Sequence, residues 1–305
     1  MRCLIIHNPA SGPSSDEIFA FTHALAQGGD EVVMRFIGDG MEPEDAVEDV
    51  REFDRVVVSG GDGTVSNVLD QMRGCGVPTL VFPSGTACLF FNNIGNVPEA
   101  AALAKACRAG RTVKVDMGEL FWLDENGNEK RHGFIIIAGS GFDAEIMMKA
   151  APTKNDIGEI AYFLSALATP NPTVAHFTIE HDGIVEELDG ICCMAGNTSV
   201  IQNDINLFPN CRMDDGMVDI VVIEPVRTVQ LLPTVITAAL DPAGKLLGRP
   251  QFKIIQTKEA KITCTPSLGM QFDGEIISSN SGVFDARALP QCLDLIVDEF
   301  SPLGK

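Results

Sequence analysis

The feature that most constrains the fold is an alternation of short apolar runs with segments of helical periodicity over residues 2–83. Four runs have the length and the β-branched content of buried strands: RCLIIH (2–7), EVVMRFI (31–37), RVVVSG (55–60) and PTLVFP (78–83). Three segments between them are predicted helices: 15–28, with Ser14 or Ser15 as its cap and Gly28 at its end, 43–53, and 64–74. Strands that alternate with helices, without tight hairpins, predict an α/β fold with a parallel sheet.

The second half of the chain has a different pattern, rich in strands from about residue 112 onward. The turn sequence ENGN (125–128) and the pair Asp182-Gly183 each stand between two strand-like runs and predict hairpins. One helix is predicted at 155–170, and 226–240 is a further candidate. At 305 residues the chain is long enough for two domains.

Small-residue loops follow three of the predicted parallel strands. They are Asn8-Pro9-Ala10-Ser11-Gly12, Ser59-Gly60-Gly61-Asp62-Gly63-Thr64 and Phe82-Pro83-Ser84-Gly85-Thr86. The carboxyl ends of parallel strands share one sheet edge, where α/β proteins bind ligands, and helix N-termini there hold anions. The second loop is neither a GxGxxG fingerprint nor a P-loop. Taken alone, the first loop is better explained as a simple Asn-Pro turn.

The second half contains two clusters of acidic residues. One is Met213-Asp214-Asp215-Gly216-Met217-Val218-Asp219, and the other is Asp273-Gly274-Glu275. Clustered carboxylates suit Mg²⁺, and a carboxylate beside a hydroxyl can act as a general base. The alternative is that both are Asp-Gly turns without a ligand.

The charge excludes some partners. A formal charge of −20, from 42 acidic and 22 basic residues, argues against nucleic acid and against electrostatic docking on an anionic membrane. Nine scattered cysteines without a CxxC pair indicate reduced thiols. The first residues have too few apolar side chains for a signal peptide, and no apolar stretch is long enough to span a bilayer. We therefore expect a cytoplasmic protein.

Several motifs together resemble the diacylglycerol kinase catalytic family, which includes bacterial lipid kinases and sphingosine kinases and shares a superfamily with NAD kinases and phosphofructokinases. The matching segments are NPASG (8–12), SGGDGTVSNVLD (59–70), PSGTA (83–87), GSGFDAEI (139–146), IGEIAYFLSAL (157–167), GN (196–197), MDDGMVDIVVI (213–223) and FDGE (272–275). The resemblance covers nearly the whole chain. It implies an N-terminal Rossmann-like α/β lobe, residues 1–118 with a returning segment 288–305, and a C-terminal β-sandwich lobe, residues 119–287.

The resemblance also implies an activity, an ATP-dependent transfer of a phosphoryl group to a lipid hydroxyl, with ATP in the cleft between the lobes. The residues implied for the nucleotide are Asn8, Ser11, Gly12, Gly60, Gly61, Asp62, Gly63, Thr64, Gly85 and Thr86. Asp273 would be the base on the lipid hydroxyl, supported by Glu275. Asp214, Asp215 and the Met217 carbonyl resemble a structural Mg²⁺ site. Such an enzyme meets a membrane peripherally, here without a basic patch, and a homodimer remains open.

The third loop departs from the family pattern. The family commonly continues it as GTxND, whereas Cys88 and Leu89 follow Gly85-Thr86-Ala87 here, which removes polar contacts near the nucleotide. Two alternatives therefore stay open beside the lipid kinase. One is a kinase of the superfamily that acts on NAD or another small molecule, and the other is a lipid-binding or regulatory homologue with weakened catalysis.

Overall fold

The chain divides into two compact units, as shown by a computed structural model. The first unit comprises Met1–Met117 and Pro290–Lys305, and the second comprises Gly118–Leu289. The structure describes residues 1–12, 16–38, 40–141, 171–202, 205–206, 208–227 and 247–304, together with residues 231, 237, 240, 241 and 244. The sequence placed the lobe boundaries at 118/119 and 287/288.

The first unit is an α/β structure. Its elements are β1 (Arg2–His7), α1 (Glu17–Gln27), β2 (Glu31–Phe36), α2 (Pro43–Ala46), β3 (Arg55–Gly60), α3 (Asp62–Gln71), β4 (Thr79–Pro83), α4 (Leu89–Ile94), α5 (Ala100–Ala109) and the start of β5 (Arg111–Leu123). The last part of β18 (Val283–Val297) completes it. The sheet order is β2-β1-β3-β4-β18 and the pairings are parallel, which confirms the predicted α/β class.

The strands are buried because β1 and β3 are almost wholly apolar. Leu4, Ile5, Val57 and Val58 are completely buried, and the helices α1 and α3 cover them with side chains such as Phe21. Burial of this apolar area is the main stabilising contribution in such a unit. The predicted strands of this unit are confirmed to within a residue or two at their ends.

The helix predicted at 43–53 is wrong as a single element. Helix α2 ends at Ala46, and a separate 3-10 turn covers Val50–Glu52. Arg35 gives the reason, since its guanidinium donates to the Ala46 carbonyl at 2.8 Å and to both carboxylate oxygens of Asp49 at 2.6 and 2.8 Å. The carbonyl that would continue the helical ladder is thus occupied by a tertiary contact, and the helix stops.

Two other helix boundaries differ from the prediction. Helix α3 begins at Asp62, inside the second loop, and ends at Gln71, because Gly74 adopts a φ of 66° and donates its amide to the Cys292 carbonyl. Helix α1 begins after Asp16, and the predicted caps Ser14 and Ser15 lie outside the described residues.

The second unit is built from strands. Besides the end of β5, they are β6 (Glu129–Phe134), β7 (Ile137–Gly141), β8 (Ala175–His181), β9 (Ile184–Gly190), β10 (Cys192–Gly196), β11 (Val200–Gln202), β12 (Ile205–Asn206), β13 (Val218–Ile223), β14 (Phe252–Thr257), β15 (Glu259–Thr265), β16 (Met270–Phe272), β17 (Glu275–Ile277) and the start of β18. One sheet has the order β14-β13-β10-β7-β16-β17, and β18-β15-β8-β9 belong to another.

The two sheets of the second unit share one apolar core, which confirms the β-sandwich. Phe177, Ile262 and Phe284 from one sheet belong to the same buried cluster as Ile220 and Ala195 from the other. Face-to-face packing of two antiparallel sheets buries one side of each.

Both predicted hairpins of the second unit are confirmed. Strands β5 and β6 pair across the turn that contains ENGN, and β8 and β9 pair across Asp182-Gly183, whose φ values of 47° and 76° suit a type I′ turn. The predicted helix 155–170 and most of 226–240 lie outside the described residues.

The described part of the chain has no helix that is both long and apolar enough to cross a membrane. All nine cysteines are free thiols, as the sequence predicted.

Candidate active site

The three small-residue loops of the first unit meet at the carboxyl ends of β1, β3 and β4. A side-chain carbon built on Gly12 would lie 3.2 Å from the Ser84 carbonyl oxygen, and one built on Gly85 would lie 2.4 Å from the Gly61 Cα. The Asn8 amide donates to the Thr64 hydroxyl at 2.8 Å. The structure therefore brings the predicted nucleotide residues of all three loops together.

The first loop is fixed by Asn8 rather than by a simple turn. The Asn8 N–H donates to the Ser59 carbonyl at 2.9 Å, while its side-chain oxygen accepts the Ala10 N–H at 3.0 Å. Gly12 adopts a φ of 130°, a conformation that glycine alone enters readily. The Ser11 hydroxyl oxygen is inaccessible to solvent and has no hydrogen-bond partner among the residues that the structure describes. A buried, unsatisfied donor of this kind is expected where a ligand supplies the missing partner.

The second loop forms the start of helix α3. Gly60 is the last residue of β3, Gly61 occupies the N-cap position, and Asp62, Gly63 and Thr64 form the first turn. Unpaired N–H groups at a helix N-terminus favour an anion. In the third loop, Gly85 lies against Gly61, and Thr86 is exposed.

Asp62 caps a neighbouring helix. Its two carboxylate oxygens accept the Phe90 N–H at 2.9 Å and the Leu89 N–H at 3.0 Å, at the start of α4. Cys88, at the N-cap position of that helix, makes no side-chain cap and stands at a φ of 47°. Burial raises the pKa of Asp62, while the two amides act in the opposite direction. Burial of the Cys88 thiol, together with the nearby Asp62 carboxylate, raises the pKa of that thiol to about 11.

Beneath the loops lies a buried chain of polar side chains that was not predicted from the sequence. His7 Nδ1 lies 2.9 Å from Ser59 Oγ, which lies 2.7 Å from Ser84 Oγ. All three residues are at most 1% exposed. The signal available in the sequence was a histidine that ends an otherwise apolar strand and two serines next to the glycine loops.

In the second unit, Asp273 is held by backbone amides at the turn between β16 and β17. Its Oδ2 accepts the Ile135 N–H at 2.7 Å, and its Oδ1 accepts the N–H groups of Ile136 and Ile137 at 2.8 and 3.0 Å. Asp273 stands at a φ of 41°, and Gly274 donates to the Gln271 side chain at 3.1 Å. The carboxylate thus anchors the turn to the backbone of residues 135–137.

Glu275 is the first residue of β17 and is exposed. Its backbone pairs with that of Phe272, so Glu275 and Asp273 both belong to one tight hairpin. Asn197 reaches the same backbone segment from the end of β10, where its side-chain amide donates to the Ile135 carbonyl at 3.1 Å. Two separate segments, the β16–β17 hairpin and the end of β10, therefore converge on residues 135–137.

The acidic cluster around Asp214 has partners within the protein. Arg212 donates to both carboxylate oxygens of Asp214 at 2.8 and 3.0 Å, and Asp215 accepts the Met217 N–H at 3.0 Å and the Gln256 amide at 3.1 Å. Across the described residues, no group of three or more His, Cys, Asp or Glu side chains could hold a metal ion. Arg212 and Gln256 thus contact carboxylate oxygens that a cation would need, and the structural Mg²⁺ site stays a prediction.

Comparison with known proteins gives the family. Residues 2–120 match the diacylglycerol kinase catalytic domain, and residues 136–297 match the YegS C-terminal NAD kinase beta sandwich-like domain. A diacylglycerol kinase from Mycobacterium tuberculosis is 31% identical over 235 residues, 73% of this chain and 70% of that protein. The chain belongs to the diacylglycerol kinase family. A diacylglycerol kinase from Bacillus subtilis is 26% identical over 293 residues, 90% of this chain and 89% of that one.

Solved structures share the fold of this family member. Two crystal structures from Bacillus anthracis str. Sterne, one of them named a diacylglycerol kinase, superimpose with TM-scores of 0.75 and 0.72 at 20% and 21% identity. Each covers 98% of this chain, and the shared parts are 95% and 97% of those chains. At this identity the likeness shows the fold, an N-terminal catalytic lobe and a C-terminal β-sandwich, while the kinase assignment comes from the family.

The loops of this family member fit the phosphate part of a nucleotide. Gly12, Gly61 and Gly85 let the backbones of the three loops approach one another closely, and the buried Ser11 hydroxyl has no partner among the described residues. The loops 8–12, 59–64 and 83–88 contain no lysine or arginine. Within these loops, backbone N–H groups and hydroxyls are the groups that could meet the charge of a bound polyphosphate.

Replacing the Asp62 carboxylate should destabilise the first unit. In Asp62→Asn only one oxygen remains, so one of the Leu89 and Phe90 N–H groups loses its acceptor, and we expect the free energy of unfolding to fall by about 1 kcal/mol. Thermal denaturation measures this change. The matched control is Asp16→Asn, because Asp16 occupies the N-cap position of α1 without a side-chain cap bond. Equal stability of the two variants would contradict the capping role of Asp62.

Proposed function

We propose that this protein is an ATP-dependent lipid kinase that transfers the γ-phosphoryl group of ATP to a hydroxyl of diacylglycerol or of a related lipid such as a long-chain base. The observation that carries the proposal is the convergence of the three glycine-containing loops at one sheet edge, in a chain of the diacylglycerol kinase family. Phosphoryl transfer depends mainly on positioning and on neutralising charge, and such loops provide backbone donors for both.

In the proposed reaction, the lipid hydroxyl oxygen bonds to the γ-phosphorus while the bond from that phosphorus to the β–γ bridging oxygen breaks, leaving ADP. The hydroxyl proton passes to a base, and we assign this role to Asp273. Its geometry supports the assignment, since the amides of Ile135, Ile136 and Ile137 fix the orientation of the carboxylate.

Mg²⁺ is proposed as the cation that accompanies ATP, because the loops carry no basic side chain of their own. Hard oxygen donors on phosphate are the ligands that Mg²⁺ prefers. Chelation with EDTA should therefore abolish transfer, and added Mg²⁺ should restore it.

Contact with the lipid is proposed to be peripheral, in the cytoplasm and through apolar side chains. Only 22 basic residues stand against 42 acidic ones, so an anionic bilayer offers little electrostatic attraction. We expect binding to lipid vesicles to change little with salt concentration, which sedimentation at low and high ionic strength measures.

A homologue with weakened catalysis is the second candidate. It is favoured by the third loop, where Cys88 and Leu89 supply no carboxylate or amide side chain and Asp62 instead binds the amides of Leu89 and Phe90. An NAD kinase activity is the other alternative, and it has no such local support. Incubation with labelled ATP, Mg²⁺ and either a lipid panel or NAD separates the three, since the label enters a lipid, NADP or neither.

A further inference from the structure

A buried chain of three polar side chains joins the roots of the three loops. His7 is the last residue of β1, directly before the first loop, and Ser59 lies next to the end of β3, directly before Gly60. Ser84 follows the last residue of β4 and opens the third loop. The distances are 2.9 Å from His7 Nδ1 to Ser59 Oγ and 2.7 Å from Ser59 Oγ to Ser84 Oγ.

Polar groups at these positions are costly unless they bind one another. Exposure is 1% for His7 and 0% for both serines, and the strand residues before them are buried and apolar. Moving a hydroxyl from water into such a site without a hydrogen-bond partner costs a free energy on the order of 1–3 kcal/mol. The central hydroxyl, that of Ser59, has one proton, so it donates to one neighbour and accepts from the other. Loss of the Ser59 hydroxyl would therefore remove a hydrogen bond from both His7 and Ser84.

The chain lies where the backbone ladder of the sheet ends. His7 pairs in register with Ser59, and Gly60 pairs with Pro83, after which the three segments separate into loops. Two backbone hydrogen bonds extend the strand pairing by one residue. The Asn8 N–H donates to the Ser59 carbonyl, and the Ser84 N–H donates to the Gly60 carbonyl. The three side chains therefore link the strands at the last residues of the ladder, directly before the loops begin.

The histidine is placed to be a neutral hydrogen-bonding group. Its ring makes edge contacts with Phe19 and Phe36, at centroid distances of 6.1 and 5.9 Å. Burial lowers the pKa of His7, although Asp16 acts in the opposite direction. The neutral imidazole of His7 can act either as donor or as acceptor toward the Ser59 hydroxyl, because Nδ1 donates in one tautomer and accepts in the other.

We propose that His7, Ser59 and Ser84 are positioning residues that hold the three loops in the arrangement required to bind the phosphates of the nucleotide. This inference rests on the proposed nucleotide site and extends it to side chains that do not themselves reach the ligand. It assigns a function to residues outside the glycine motifs.

The test compares the affinity for Mg²⁺-ATP, by titration calorimetry, between matched variants. His7→Leu and Ser59→Ala remove links of the chain and should weaken binding by about tenfold, in line with a lost buried hydrogen bond. His7→Asn keeps a nitrogen donor near the position of Nδ1 and should recover most of the affinity. The control is Thr79→Val, which removes a buried hydroxyl, 3.0 Å from the Val77 carbonyl, at the opposite end of β4.

Two results would overturn the inference: binding by His7→Leu and Ser59→Ala equal to that of the unmodified protein, or an equal loss in Thr79→Val. A second readout does not require ATP. Amide hydrogen exchange at 8–12, 60–64 and 84–86 should be faster in Ser59→Ala than in Thr79→Val, and equal protection would contradict the positioning role. Absence of lipid phosphorylation by the unmodified protein would refute the proposed function but would leave both of these readouts intact.

Discussion

Gly85→Ala is expected to abolish ATP binding. A side-chain carbon at this position would lie 2.4 Å from the Gly61 Cα and 3.2 Å from its nitrogen, so the second and third loops would have to separate. Both contacts are with backbone atoms, which cannot rotate away as a flexible side chain can. Overpacking of this kind costs about 1–3 kcal/mol, and a loop displacement near 1 Å can cost about 100-fold in activity. Calorimetric titration with Mg²⁺-ATP measures the loss.

Gly61→Ala is the matched comparison for the stability part of this effect. It adds the same methyl group on the other side of the same contact, where the nearest atom, the Gly85 Cα, would be 3.6 Å away. Its melting temperature should therefore stay near that of the unmodified protein while that of Gly85→Ala falls. Unchanged ATP affinity and stability in Gly85→Ala would show that the two loops are not in contact as described.

Asp273→Asn is expected to reduce both stability and lipid phosphorylation strongly. The single oxygen of asparagine cannot accept from Ile135 on one side and from Ile136 and Ile137 on the other, so at least one buried amide loses its partner. We expect the free energy of unfolding to fall by about 1–3 kcal/mol. Loss of a general base should lower kcat by about 100-fold to 10,000-fold. Denaturant unfolding and steady-state kinetics measure the two effects separately.

The control for this substitution is Asp182→Asn. Asp182 also precedes a glycine in a hairpin turn with positive φ, 47° against 41° for Asp273, but its side chain is exposed. Asparagine tolerates this conformation as aspartate does, so backbone strain is the same in both variants. The control should lose less than about 0.5 kcal/mol. A kcat for Asp273→Asn close to that of the unmodified protein would exclude Asp273 as the base.

The fold could be predicted from the sequence because its strongest signals are local. Runs such as RVVVSG have one stable environment, a buried parallel strand, and the pairs Asn126-Gly127 and Asp182-Gly183 favour tight hairpins. The error at 43–53 arose from a non-local contact. Arg35 lies on β2, and no periodicity in 43–53 reveals that its guanidinium takes the Ala46 carbonyl.

The candidate site was predictable in its location but not in the task of each side chain. The order of the loops after successive strands placed them at one sheet edge, and the close approach of Gly61 and Gly85 follows from that arrangement. The family resemblance implied a nucleotide contact for Asp62, whereas both of its oxygens accept amides of α4. Which buried serine meets which histidine likewise depends on strand register, which the sequence does not specify.

The central claim, transfer of the γ-phosphoryl group to a lipid hydroxyl, is tested most directly by product analysis. The purified full chain is incubated with γ-labelled ATP, Mg²⁺ and mixed micelles that contain diacylglycerol or a long-chain base, and the extracted lipid is identified by mass. The account predicts a labelled phosphate monoester of one of these lipids and no product from Gly85→Ala. ATP binding with label found in NADP or in no acceptor at all would contradict it.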